Sequence, residues 1–131
     1  MINVVIDTNV LVSAALTPDG NAAAIIDLLP ANTEIQVYYS IEILTEYMDV
    51  LSRPRLNIAA EKQVRAVNAI TKAGILIEPI ASAIHLPHES DRIFYDSARD
   101  SKSILVTGNL KHYPSENFIM TPSKFLDMLT R

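Results

Sequence analysis

An acid that follows a short apolar run near the start of the chain could hold a metal ion. Residues 2–6 read Ile-Asn-Val-Val-Ile, which favours a buried parallel strand, and Asp7-Thr8-Asn9 follows at once. All three residues favour caps, so they can end the strand and open a helix over 10–16. An acid at the carboxyl end of a central strand lies where open α/β sheets bind ligands. The alternative is that Asp7 is only a helix cap.

A second group of acids lies on a helix expected over residues 41–52. Glu42, Glu46 and Asp49 share one stripe of this helix, and its first two turns overhang the same sheet edge as Asp7. Asp49 is expected on a solvated face, whereas position alone does not separate Glu42 from Glu46. The residues expected on the opposite, apolar face are Leu44, Tyr47, Met48 and Leu51.

Two further segments offer polar groups near predicted strand ends. Asp91 falls in the first turn of a helix expected over 91–100, where it can reach a site or simply complement the helix dipole. Asp96 lies about 140° further round this helix and is expected to be structural or solvated. Thr107 and Asn109 flank Gly108 after the fourth predicted strand. They could hydrogen-bond a metal-bound water or a phosphate, although a turn built from Gly and Asn is the commoner interpretation.

The composition removes several other kinds of site. The chain has no Cys, which excludes a thiol nucleophile, and its three scattered Gly exclude a P-loop and a dinucleotide fingerprint. No Gly-x-Ser-x-Gly elbow occurs. His85 and His88 flank Pro87, so a loop is favoured over a fixed pair of metal ligands. Carboxylates without thiols or paired histidines suit a hard ion, Mg²⁺ or Mn²⁺.

Strands and helices alternate along the chain, which is typical of a parallel sheet covered on both faces. After the first strand, further strands are expected at 36–39, 75–78, 103–106 and 118–120. Further helices are expected at 22–29, 59–73 and from Pro122 to the terminus, besides the two named above. The expected N-caps are Asn21, Ser40, Ser90 and Thr121. The loop between the third strand and the next helix covers residues 79–89.

Length and composition indicate one globular domain. The 131 residues are 49% apolar and 20% charged, which is enough to bury a core. No apolar run approaches the roughly 20 residues that cross a bilayer, and no basic signal-peptide region begins the chain, so a soluble cytoplasmic protein is expected. The net charge of −4 provides no global basic field. A polyanion must therefore be held locally, by a partner chain or through a metal ion.

Five segments in this order resemble the PIN domain, and more closely the PIN-family toxins of toxin–antitoxin pairs, the VapC-like ribonucleases. The first reads Val-Val-Ile-Asp-Thr-Asn-Val-Leu at 4–11, and the fourth reads Leu-Val-Thr-Gly-Asn-Leu-Lys-His-Tyr-Pro at 105–114. The others lie at 40–56, 90–95 and 121–126. No single segment is decisive, but the five together cover nearly the whole chain.

The resemblance implies a fold, an activity and a set of partners. The fold is a PIN-like, Rossmann-like three-layer α/β/α sandwich with a central parallel sheet of about five strands. The activity is that of a Mg²⁺- or Mn²⁺-dependent endoribonuclease, which cleaves RNA phosphodiesters with metal-activated water. An antitoxin protein and a second copy of the chain, in a homodimer, are the implied protein partners.

The resemblance also assigns roles to particular residues. It carries the metal ligands onto Asp7, Glu46 and Asp91, and so selects Glu46 over Glu42. The fourth acid of the family, usually found after Thr-Gly, is Asn109 here, a departure that bears on metal count and activity. The implied supporting residues are Thr8, Asn9 and Thr107. The candidate contacts to the RNA backbone, each by default a surface charge, are Arg53, Arg55, Arg92 and Lys111.

Two other functions stay open at this point. A PIN-fold module that binds RNA or a partner without strong catalysis is favoured by Asn109, which lacks the charge of the usual acid. A phosphatase that forms an aspartyl-phosphate on Asp7 is weakened by Asn9, because no acid stands two residues after Asp7.

Overall fold

The computed structural model describes residues 1–130, and within that range its centre is a five-stranded, all-parallel sheet. The strands are β1 (Ile2–Ile6), β2 (Ile35–Tyr39), β3 (Ile75–Leu76), β4 (Ile104–Val106) and β5 (Ile119–Met120). Their spatial order is β3-β2-β1-β4-β5, so β1 is central and the chain builds outwards from it in both directions. The predicted parallel sheet of about five strands is confirmed.

Six α-helices accompany these strands in the part of the chain that is described. They are α1 (Thr8–Leu16), α2 (Asn21–Leu28), α3 (Ile41–Leu51), α4 (Ala60–Ala73), α5 (Arg92–Ser101) and α6 (Pro122–Leu129). Short 3-10 turns lie at Pro54–Leu56, Glu89–Asp91 and Leu110–His112. Among these described helices, none has the length and apolar character needed to traverse a membrane. The last helix was predicted to reach the terminus, but α6 ends at Leu129 with Thr130 at its C-cap, and Arg131 lies outside the described residues.

Helices cover both faces of the sheet. Val4, Val5 and Ile6 of β1 are all fully buried, and consecutive strand residues point to opposite faces. The helix α5 packs against β1, β2 and β4, whereas α4 contacts β2 and packs with α1, α2 and α3. Complete burial of each such side chain stabilises the fold by about 1.5–3 kcal/mol. The arrangement is the predicted three-layer α/β/α sandwich.

The strand register brings three strand ends to one edge. Ile6 pairs with Val106, and the backbone N–H of Asp7 donates to the Val106 carbonyl at 3.0 Å. Val4 pairs with Val37, so β2 ends level with β1. The residues that follow β1, β2 and β4 therefore leave the sheet at its carboxyl edge as neighbours.

Two predicted helix caps are confirmed. The Ser40 hydroxyl accepts the Ile43 backbone N–H at 3.1 Å at the start of α3. The Thr121 hydroxyl accepts the Lys124 N–H at 3.2 Å at the start of α6. Each cap satisfies a backbone donor that has no partner within its helix.

The other two predicted caps are wrong. Gly20 occupies the cap position of α2, because the preceding turn closes with the Gly20 N–H bonded to the Thr17 carbonyl, and Asn21 is the first helical residue. Ser90 lies inside the 3-10 turn at Glu89–Asp91, so α5 begins at Arg92, one residue later than predicted, with Asp91 at its cap position. In both cases the preceding turn, rather than the nearest polar side chain, decides where the helix starts.

The buried face of α3 is rotated from the predicted one. Ile43, Tyr47 and Leu51 are fully buried, whereas Leu44 is only partly buried and Met48 is 50% exposed. The buried stripe therefore follows an i, i+4, i+8 row through Tyr47, and α3 packs against α1, α4 and α5. The Tyr47 hydroxyl donates a short hydrogen bond to the Ile6 carbonyl, which fixes α3 beside the end of β1.

The predicted loop before α5 is present, and α5 holds it in place. Asp96 accepts the Ser82 backbone N–H at 3.0 Å, and Asp100 accepts the Ile80 N–H at 2.6 Å. Arg92 donates to the carbonyls of Ser82 and Ile84 at 2.9 and 2.7 Å. Asp96 is buried and faces this loop, so of its two predicted roles the structural one is observed.

Candidate functional site

Asp7 is both the cap of α1 and the buried centre of the polar cluster. Its Oδ1 accepts the Thr8 backbone N–H at 2.7 Å. Its Oδ2 accepts the Thr107 and Tyr113 hydroxyls, each at 2.8 Å, and the Asn9 amide at 3.1 Å. Burial raises the pKa of Asp7, and the charge of Asp91 raises it further, against the opposing effect of these hydrogen bonds.

Glu46 reaches the same cluster from α3. The Thr8 hydroxyl donates to Glu46 Oε2 at 2.6 Å, which joins the acid on α3 to the residue after Asp7. Glu46 is partly buried next to the fully buried Tyr47, whereas Glu42, one turn earlier, is exposed. The rotation of α3 thus separates two acids that the sequence pattern alone left equivalent.

Asp91 approaches from the start of α5. Its Oδ2 lies 3.1 Å from Nδ1 of His112, an ion pair when the imidazole is protonated. Apart from that contact, this buried oxygen has no hydrogen-bond donor among the described residues. Burial raises the pKa of Asp91, the neighbouring His112 and His88 lower it, and the charge of Glu46 raises it. The His88 and His112 rings lie 4.4 Å apart, so His88 also belongs to the surroundings of Asp91.

The segments that follow β1 and β4 are fastened to each other. Asn9 Oδ1 accepts the Gly108 backbone N–H at 2.7 Å, and its amide also lies 3.3 Å from the Thr107 hydroxyl. A Cβ at position 108 would stand 3.1 Å from Asn9 Oδ1, so Gly permits this close approach. The Thr107 hydroxyl accepts the Asn109 N–H at 3.0 Å while it donates to Asp7. These contacts fix position 109 beside Asp7.

These elements surround a pocket of about 320 Å³ at the carboxyl edge of the sheet. The predicted metal ligands all line it, together with Asn109 and two of the three predicted supporting residues; the third, Thr107, lies behind Asp7. The complete lining comprises Asp7, Thr8, Asn9, Val12, Ser13, Glu46, Val50, Arg55, Leu56, Asp91, Asn109 and His112.

The four candidate cations for RNA differ in their surroundings. Arg55 lines the pocket, and Lys111 is exposed and directly precedes His112, which also lines it. Arg53 is exposed and forms an ion pair with Asp49 at 3.2 Å. Arg92 uses its guanidinium within the protein, where it bonds to Glu89 and to the loop residues Ser82 and Ile84.

The polar cluster suits a hard cation in its chemistry, although its side chains are not arranged around one. In residues 1–130, no group of three or more His, Asp or Glu side chains is placed to hold a metal ion as it stands. The pocket lining includes the carboxylates of Asp7, Glu46 and Asp91, whose oxygens are ligands that Mg²⁺ and Mn²⁺ prefer. Asp7 and Asp91 each have a raised pKa, to which a like-charged neighbour contributes, and Asp91 Oδ2 retains acceptor capacity. A cation between these acids would relieve that repulsion.

Two residues of the site were not assigned a role from the sequence. Tyr113 contacts Asp7, and His112 contacts Asp91, although both belong to the 105–114 segment that carries the family resemblance. In the sequence, only the polar run after the fourth strand pointed to these two residues. Nothing in their spacing indicates that their partners are Asp7 and Asp91.

Comparison with known proteins identifies the family. The family model described as a PIN domain matches residues 3–111. An uncharacterized protein of Methanocaldococcus jannaschii, MJ1680, is 32% identical over 111 residues, which cover 82% of this chain and 71% of that protein.

Two solved structures share the fold. PAE2754 from Pyrobaculum aerophilum superposes with a TM-score of 0.62 at 12% identity, covering 98% of this chain and 96% of that one. VapBC2 from Rickettsia felis, solved bound to a DNA fragment from their promoter, superposes with a TM-score of 0.59 at 18% identity, covering 91% and 97%. Because the family match spans most of the sequence and the fold agrees, the chain belongs to the PIN-domain family.

Proposed function

We propose that this protein is a metal-dependent endoribonuclease and the toxin of a toxin–antitoxin pair. One observation carries the catalytic part of the proposal. Asp7 after β1, Glu46 on α3 and Asp91 at the start of α5 line one pocket, although successive acids stand 39 and 45 positions apart in the sequence. PIN domains are generally nucleases, which gives this convergence of acids a chemical purpose.

Asp7, Glu46 and Asp91 are the residues that would hold Mg²⁺ or Mn²⁺. Bound there, the ion would supply activation of water and neutralisation of charge on the scissile phosphate. The protein's own part is orientation: Thr8 holds Glu46 at 2.6 Å, and Thr107, Tyr113 and Asn9 hold Asp7. Asn109 lines the pocket as an uncharged amide, so the site brings three formal charges where the family pattern has four.

The RNA backbone is held by few cations, because the chain as a whole is acidic. Arg55 is the candidate that lines the pocket, and Lys111 and Arg53 are exposed. Arg92 is bonded to Ser82 and Ile84, so we assign it to holding the loop before α5 and not to RNA. Loss of Arg55 is therefore expected to weaken RNA binding more than loss of the Arg92 charge.

The toxin role rests on family membership and on the fold shared with VapBC2. It implies an antitoxin protein that binds this chain, a homodimer, and a cytoplasmic location beside its RNA substrate. Met48 on α3 and Val64 on α4 are 50% and 58% exposed, which suits a protein partner. A strict monomer by light scattering at high concentration would remove the homodimer from the proposal.

A second function is favoured by Asn109 alone. Without a fourth carboxylate, the protein would bind RNA or a partner in the same pocket and turn over slowly or not at all. The aspartyl-phosphate phosphatase has less support, because the residue two positions after Asp7 is Asn9, which is not an acid. The Asn9 amide nitrogen donates to Asp7 and its oxygen accepts from Gly108, so both ends of this side chain are engaged within the protein.

The test is incubation of purified protein with mixed RNA, in Mn²⁺ and in excess chelator. Cleavage is expected with Mn²⁺ only, and Asp7→Asn should abolish it. Asp19→Asn, the same substitution at an exposed turn position, is the matched control and should cleave like the wild type. Cleavage by a folded Asp7→Asn protein would overturn the assignment, and binding of RNA without turnover would establish the second function.

A further inference from the structure

Tyr113 occupies an unusual position between the core and the acidic cluster. It follows the 3-10 turn at Leu110–His112, and its side chain is only 6% exposed. Its hydroxyl donates to Oδ2 of Asp7 at 2.8 Å, across 106 residues of sequence. A buried phenol needs a partner for its O–H, and here that partner is the most buried acid of the pocket.

The two carboxylate oxygens of Asp7 accept different numbers of hydrogen bonds. Oδ2 receives three donors, from Thr107, Tyr113 and Asn9, whereas Oδ1 receives only the Thr8 backbone N–H. An ionised carboxylate has about two acceptor directions on each oxygen. Oδ2 is therefore saturated within the protein, and Oδ1 is the atom with capacity left for a ligand.

The same short turn contacts a second acid. His112 lies 3.1 Å from Asp91, and the next residue, Tyr113, bonds Asp7. Asp91 comes from the start of α5 and Asp7 from the end of β1, so one dipeptide contacts acids from two different elements. Asn109, just before the turn, lines the pocket as well.

From this geometry we propose that Tyr113 is a positioning residue for Asp7, which holds Oδ2 so that Oδ1 is presented to the divalent ion. The inference rests on the function proposed above, because the ion belongs to that function. Burial and the charges of Asp7 and Asp91 raise the pKa of Tyr113 well above its usual value, so its hydroxyl stays a donor throughout the working range. Tyr113 itself does not touch the substrate or the ion.

A purely structural role for Tyr113 makes a different prediction, and the chain offers a matched control. Tyr95 is also 6% exposed, and its hydroxyl also donates to a carboxylate, Glu116, at 3.1 Å. Neither tyrosine lines the acidic pocket, but Tyr113 bonds Asp7 whereas Tyr95 bonds Glu116. Tyr95→Phe and Tyr113→Phe each delete a hydroxyl that donates to a carboxylate, partly buried at Tyr95 and buried at Tyr113, and only the second deletion touches Asp7.

The experiment measures Mn²⁺ affinity by calorimetry for wild type, Tyr113→Phe and Tyr95→Phe, after circular dichroism has shown that each is folded. Tyr113→Phe is expected to bind Mn²⁺ about 10–100-fold more weakly, the usual effect of losing a partner that orients a metal ligand. Tyr95→Phe should bind like the wild type. In RNA cleavage, kcat of Tyr113→Phe should fall while KM is unchanged.

A crystal structure of metal-free Tyr113→Phe provides the second readout, which needs neither metal nor activity. A rotated or doubly placed Asp7 carboxylate supports the positioning role. An unmoved carboxylate with wild-type Mn²⁺ affinity overturns it. If the wild type itself binds no Mn²⁺, the proposed function fails. The position of the Asp7 carboxylate in the Tyr113→Phe crystal structure then decides the role of Tyr113 by itself.

Discussion

Asp7→Asn should make the free energy of unfolding of the metal-free protein depend less on pH. Burial and the Asp91 charge raise the pKa of Asp7 in the folded state above its ordinary value of 3.8. In the unfolded chain Asp7 ionises near that ordinary value. Between the two values the unfolded state has lost the proton and the folded state keeps it, so wild-type stability falls as pH rises through the raised pKa. The amide in the variant cannot ionise, so the variant lacks this loss.

The size of the effect follows from linkage and from the bonds at the site. One proton held only by the folded state gives a slope of at most about 1.4 kcal/mol per pH unit. An amide resembles the protonated acid in shape and accepts through one oxygen, so it can serve the three donors at the Oδ2 position. At about pH 4 the two proteins should therefore agree within about 1 kcal/mol, the net worth of one hydrogen bond.

The assay is urea unfolding of both proteins in chelator, from about pH 4 to about pH 8. The variant should gain stability relative to the wild type as pH rises. A constant difference, or a wild type that gains on the variant, would refute the reasoning about Asp7. Added Mn²⁺ should reverse the ranking, because a ligand at about 100 times its Kd stabilises the protein that binds it by about 2.7 kcal/mol.

Three further predictions concern single positions. Glu46→Gln should lower RNA cleavage by at least about 100-fold and Glu42→Gln by less than about twofold. The reason is that Glu46 lines the pocket, whereas Glu42 is exposed one turn away. Equal losses in the same assay would show that Glu46 is not the acid of α3 that acts in the site. Asn109→Asp should tighten Mn²⁺ binding on the order of tenfold in calorimetry, since affinity for hard ions rises with carboxylate count; unchanged affinity would show that position 109 does not face the ion. Lys102→Gly should raise the unfolding free energy by about 0.5–1 kcal/mol in urea, because Lys102 is exposed and ends α5 at φ 54°, where Gly has no strain; a loss of stability would show that this conformation is not strained.

Sequence patterns predicted the features that depend on neighbouring residues. The caps at Ser40 and Thr121 are hydrogen bonds to backbone groups three residues on, so the residue types alone indicate them. The apolar run before Asp7 predicted both a central strand and the acid at its end, because a buried parallel strand has a recognisable composition. Alternation of such runs with helices then predicted the layered sheet.

The remaining features depend on contacts that are distant in sequence. The spacing of Glu42 and Glu46 could not select between them, because the choice is made by the rotation of α3 and by the Thr8 hydroxyl, 38 residues away. Arg92 looked like a free surface cation, and only the fold brings Ser82 and Ile84 to its guanidinium. Tyr113 had no visible partner for the same reason.

The most direct test of the central claim, that Asp7, Glu46 and Asp91 form one cation site, is a crystal grown with Mn²⁺ and measured for anomalous scattering. An anomalous peak is expected in the pocket at the carboxyl edge of the sheet, within about 2.5 Å of an oxygen from each of these three acids. The peak should be absent from crystals of Asp7→Asn. A peak held elsewhere, for example by His88 and His112, or no peak in crystals of a protein that cleaves RNA with Mn²⁺, would contradict the claim.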